Sequence, residues 1–128
     1  MRLWHYKLIP HLPRQQLLGQ HRECCALRGK GWGKKHKVVD YVFKNHYGTL
    51  FNYHCQIMDE INSREYKVNS LWRDANYRGK QIGIDYTAHN KYALKQYPEH
   101  NDEYLQECLD NLKGKGIEIK LEQNKSAM

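Results

Sequence analysis

Apolar side chains recur at helical spacing in three stretches of the 128-residue chain. Between Pro13 and Leu27, at about 100° per residue, Leu17, Leu18, His21, Cys24 and Cys25 gather on one side of a helix. Gln16, Gly19, Gln20, Glu23 and Leu27 gather on the other, with Arg22 at the border. Pro13 suits the start, because an N–H missing there would have no partner within the helix. From Leu50 to Arg64, positions Leu50, His54, Ile57, Met58 and Ile61 form a core stripe flanked by Phe51. Thr49 stands where an N-cap belongs, and His54 reads as a packed histidine rather than a ligand. A last helix runs from its cap Asn101 to about Lys113 and turns Tyr104, Leu105, Cys108, Leu109 and Leu112 inward. Gly114 is placed for a left-handed cap there.

The remaining stretches are less regular. Pro10 and Pro13 break any element near the start. Val38–Phe43 is too short to assign between helix and strand, and Lys67–Ile84 reads as a long loop with a turn at Leu71-Trp72. A short helix fits Thr87–Lys95. Ile117, Ile119 and Leu121 alternate with charge, as a small strand or a docked tail would. The fold class expected is all-α, a single compact domain over residues 1–128 with about three to five helices and long basic and aromatic loops.

Composition narrows this further. Hydrophobic residues make up 40% and aromatics 12%, which is enough for a folded core without metal or disulfide support. Apolar runs are too short to span a membrane, and the first residues lack the apolar core of a signal peptide, so a cytoplasmic location is expected. The four cysteines, Cys24, Cys25, Cys55 and Cys108, include no Cys-x-x-Cys and read as free thiols. The eight histidines show no mutual i, i+4 pairing. No metal and no cofactor are expected, and the chain is expected to be a monomer.

Charge adds the functional hint. The net charge is +7, and residues 1–40 hold nine of the 21 Lys and Arg but two of the 14 acids, Glu23 and Asp40. The remainder is neutral. A segregated basic block points to a polyanion partner. The loop Arg28-Gly29-Lys30-Gly31-Trp32-Gly33-Lys34-Lys35-His36-Lys37 lacks P-loop spacing. It suits phosphate binding through its bases, with Trp32 either stacking on a base or tucked onto the core. A lone carboxylate, Glu23, stands inside this field beside Gly19, which leaves room for an approaching group.

Taken in order, Met1-Arg2-Leu3, His21-Arg22-Glu23, Lys34-Lys35-His36 and the apolar region from Tyr41 to Arg64 resemble the pyrimidine-dimer DNA glycosylase family. The resemblance covers roughly residues 1–72, and residues 73–128 are only loosely comparable. It implies a DNA-repair glycosylase with associated AP-lyase strand cleavage, acting on damaged double-stranded DNA. In that chemistry an α-amine attacks the sugar C1′ to give a Schiff base, and β-elimination then cuts the strand. An α-amine has a reference pKa of about 7.7–8.0, and Arg2 and Arg22 nearby would lower it. Met1 and Glu23 are then the catalytic candidates. Arg2, Arg22, Arg28, Lys30, Trp32, Lys34, Lys35 and His36 are the candidates for holding DNA. Two departures stand out. Arg2 should block removal of the initiator methionine, which assigns the amine to Met1 itself. Ala26 stands where the family prototype has an arginine, with Arg28 close by. A non-catalytic nucleic-acid-binding domain is the competing reading. A metal-dependent nuclease is disfavoured because no carboxylate cluster lies near Glu23.

Overall fold

The computed structural model describes residues 2–34, 39–84 and 96–121; Met1, Lys35, His36 and the expected 87–95 helix lie outside them. Helix α1 spans Arg14–Arg28, α2 spans Tyr47–Ser63 and α3 spans Asp102–Gly114. Three 3-10 turns, Tyr6–His11, Asp40–Lys44 and Ser70–Arg73, join them. Among the described residues there is no strand, only a lone antiparallel bridge between Tyr77 and Ile84. The fold is all-α, as the periodicities predict.

Local chemistry explains the boundaries. Pro13 occupies the N-cap of α1. Helix α2 begins three residues before the expected Leu50, because the His46 imidazole accepts a hydrogen bond from Gly48 N–H at 2.8 Å and caps the first turn. This side-chain acceptor makes Tyr47-Gly48 helical where the sequence reads as a break. Asn101 caps α3 by accepting from Tyr104 N–H. The left-handed residue after α3 is Gly116, with φ +84°, and not Gly114, which closes the helix. Pro10 sits inside the first 3-10 turn without disrupting it. Asp40–Lys44 is likewise 3-10, which resolves a run that periodicity leaves open.

One hydrophobic cluster joins all three helices. Leu17, Cys24 and Leu27 of α1 meet Leu50, Tyr53, Ile57 and Ile61 of α2, and Leu105, Cys108 and Leu112 of α3 complete it. Ile117, Ile119 and Leu121 dock against this core without forming a strand. The buried stripe of α1 is Leu17, Gln20, Cys24, Leu27 and Arg28, so its phase differs from the one expected. Gln20 and Arg28 can be buried because their polar atoms are hydrogen-bonded there. All four cysteines are free thiols. Among the described residues, no helix is long and apolar enough to cross a membrane.

Candidate active site

An extended amino-terminal segment, residues 2–5, lies against α1 and leads into the first 3-10 turn. Leu3 and Trp4 are buried, so the segment belongs to the core. Beside it opens a pocket of about 370 Å³. Arg2 and Trp4 line one wall, Gln16, Gly19, Gln20 and Glu23 of α1 line the floor, and Asn111 and Lys115 stand on the α3 side. Glycine at 19 keeps the floor low: a side chain there would meet only the Arg22 guanidinium, 3.8 Å from its Cβ. Arg22 is thus folded back over Gly19 at the edge of the pocket. Among the lining residues Glu23 is the single carboxylate, and Arg2 and Lys115 are the two cations. Such a lining suits an anionic ligand and sets a carboxylate beside it.

The structure brings together Arg2, Arg22 and Glu23 of the candidate residues. The Arg2 guanidinium is already engaged: it pairs with Glu107 at 3.0 Å and lies 5.8 Å from the ring centres of both Trp4 and Tyr104. Lys30 and Lys34 are exposed on the loop after α1. Ala26, on the exposed side of α1, presents no charge.

Two expected DNA contacts are corrected. Arg28 has no exposed surface. Its Nε–H donates to the Tyr47 hydroxyl at 2.9 Å. Nη1 donates to His54 Nδ1 and to the Trp72 carbonyl, both at 2.8 Å. Nη2 donates to the carbonyls of Asp74 at 2.8 Å and Tyr77 at 3.2 Å. All five guanidinium N–H groups are therefore spent inside the protein. The rings of Phe51 and Trp72 lie 4.9 Å from its centre and add cation–π stabilisation. Trp32 is tucked inward, edge-on to Phe43 and Tyr47 and 5.9 Å from the Arg78 guanidinium, so its ring packs on the core and is not presented to a base.

Arg28 also organises a cluster that sequence reading passes over. The ligand-type atoms of His21, Cys25 and His54 lie within 4.8 Å of one another. His21 and Cys25 are an i, i+4 pair on α1, and that spacing was the available signal. The hydrogen bonds argue against a metal. A guanidinium can only donate, so His54 Nδ1 accepts from Arg28 and its proton sits on Nε2. That proton is given to His21 Nδ1 at 2.9 Å, which leaves His21 Nε2–H facing the Cys25 sulfur at 3.7 Å. A metal at His54 Nε2 would require an imidazolate or the loss of the Arg28 bond, whereas ligating histidines normally donate from their second nitrogen. Burial pushes the Cys25 thiol up to about 11, away from the thiolate a metal prefers. Burial, followed by the Arg28 charge, holds His54 well below the ordinary imidazole range; burial and then Arg22 lower His21. The cluster is a neutral set of hydrogen bonds that ties α1 to α2.

The class that the fold and the pocket define is a basic, helical chain with a carboxylate set among polar and cationic side chains. The family model for pyrimidine dimer DNA glycosylase matches residues 1–74, and the chain belongs to that family. Neither a curated protein nor a solved structure matches it. The matched span contains Arg2, Glu23, α1 and α2. Asn111 and Lys115, which close the pocket from α3, lie beyond it.

Proposed function

We propose that the protein is a DNA glycosylase with AP-lyase activity on pyrimidine dimers or related lesions, with the α-amine of Met1 as nucleophile and Glu23 as the carboxylate that serves it. The observation that carries this reading is the shared pocket of Arg2 and Glu23. Residue 1 is one peptide unit, about 3.8 Å between Cα atoms, from a residue that lines the same cavity as the carboxylate. The amine lone pair attacks C1′ of an extruded nucleotide while the glycosidic bond leaves with its electrons on the base. Loss of a proton and opening of the sugar ring give an imine. Removal of a C2′ proton expels the 3′ phosphate, and water releases the enzyme. Glu23 stabilises the cationic sugar and moves the protons of these steps. Arg22, Lys30 and Lys34, with Lys35 and His36, hold phosphate around the lesion. A nucleotide in a lesion is already poorly stacked and costs least to extrude.

Borohydride reduction in the presence of ultraviolet-irradiated or abasic duplex DNA is the test. The expected result is a covalent protein–DNA adduct at residue 1. Glu23→Gln should lower strand cleavage by at least a hundredfold, within the range set by removing a general base, while DNA affinity stays within a few-fold. An uncleaved amino-terminal tag should abolish the adduct. Salt-sensitive binding with no adduct from the untagged protein would leave the non-catalytic binding module.

A further inference from the structure

The backbone of residues 2–4 is gripped by side chains from all three helices. Gln20 Nε2 of α1 donates to the Arg2 carbonyl at 2.6 Å, and Trp4 N–H donates to Gln20 Oε1 at 3.1 Å. The Tyr53 hydroxyl of α2 lies 2.6 Å from the Trp4 carbonyl and 2.8 Å from Gln20 Oε1. The Tyr104 hydroxyl of α3 donates to the Leu3 carbonyl at 2.5 Å. Gln20 and Tyr53 are buried and Tyr104 is half-buried.

The Gln20 amide does what a neighbouring parallel strand would do. It donates to the carbonyl of residue i and accepts from the N–H of residue i+2. Both bonds hold in one register only, since a one-residue slip of the segment would turn every side chain to the opposite face. Leu3 would then leave the core, where it has no exposed surface. Glu23 lies one turn beyond Gln20 on the same helix, about 4.5 Å along the axis. The same glutamine thus sets the register of the amino-terminal segment against the helix that carries the carboxylate.

We propose that Gln20, supported by Tyr53 and Tyr104, is a positioning residue that sets where the chain's first amine stands relative to Glu23. The inference rests on the reading of Met1 as nucleophile. It also gives the carboxyl-terminal helix a task in the reaction: Tyr104 holds Leu3, Glu107 holds Arg2, and Asn111 and Lys115 close the pocket. A misplacement of about 1 Å in such a constellation can cost on the order of a hundredfold in rate.

The test is single-turnover borohydride trapping on an abasic duplex at saturating protein, with duplex affinity measured alongside. Gln20→Met keeps length and apolar volume and removes both amide bonds. Trapping should slow tenfold to a hundredfold, the pH midpoint of its rate should move, and duplex affinity should stay within threefold. Tyr104→Phe, which deletes one hydroxyl and leaves Gln20 in place, should slow trapping severalfold with the same affinity, and it serves as the readout if Gln20→Met does not fold. Wild-type trapping with full-rate trapping by both variants would overturn the positioning role and leave the nucleophile assignment standing. Rate and affinity falling in parallel with the folded fraction, with an unmoved pH midpoint, would make Gln20 merely structural and also overturn it. Absence of any wild-type adduct would sink the nucleophile assignment, and the positioning role with it.

Discussion

Replacing Arg28 by methionine separates a phosphate ligand from an interior bracket. The fully buried guanidinium feeds three backbone carbonyls, a phenol and an imidazole nitrogen. Methionine keeps the length and supplies no donor. Each hydrogen bond lost is worth about 1 kcal/mol net, and a buried acceptor left alone costs more. Removing the buried charge offsets part of this, because its desolvation no longer has to be met. The balance is a loss of about 3–5 kcal/mol. At about 2.1 cal/mol/K per residue for the unfolding entropy, 128 residues convert this to a fall in Tm of about 10–20 °C. Arg28→Lys retains the charge but has three donors on one nitrogen, and should lose about half as much. Thermal and urea unfolding read the stability, and the salt dependence of duplex binding reads the phosphate contacts. Neither variant should change the salt slope by the ~0.9 expected for one lost phosphate contact. A methionine variant that melts within about 3 °C of wild type and loses one contact's worth of salt slope would refute the buried bracket.

Two further outcomes follow from the packing. His100 accepts from Tyr6 N–H on Nδ1, so its proton lies on Nε2 toward the Tyr41 hydroxyl, and burial lowers it to about 3. His54 is lowered by burial as well. Unfolded histidine takes up a proton near pH 6.5, so below that pH the unfolded state binds more protons. Stability should therefore be intact above about pH 6.5 and fall as pH drops toward about 3, by up to ~1.4 kcal/mol per pH unit per histidine. Urea midpoints from pH 4 to 8 should show a shallower slope in His100→Asn than in wild type, and equal slopes would contradict the assignment. A Cβ on Gly31 would stand 2.8 Å from the Ala26 carbonyl oxygen, whereas one on Gly114 meets nothing within 4 Å. Gly31→Ala should cost about 1–3 kcal/mol, while Gly114→Ala should be neutral or gain up to about 1 kcal/mol. The reverse order of melting temperatures would show that the turn after α1 is not so tight.

What the sequence determined by itself is what depends on neighbours a few residues away. The 50–64 stripe and the Asn101-capped helix repeat their apolar positions at helical spacing, and burial of that face follows directly. The place of Glu23 among bases is a property of the chain in one dimension, and folding sets it in one pocket with Arg2 and Gly19. The tertiary structure decided the fate of the polar side chains. Arg28 reads as a surface base until Trp72, Asp74 and Tyr77, more than forty residues on, bring their carbonyls to it. Gln20 reads as outward until the backbone of residues 2–4 supplies its partners. Asn111 and Lys115 carry no local mark of facing Glu23 across the pocket. Spacing records which side of a helix is apolar, but whether a polar group can leave water depends on donors and acceptors that only the folded chain delivers.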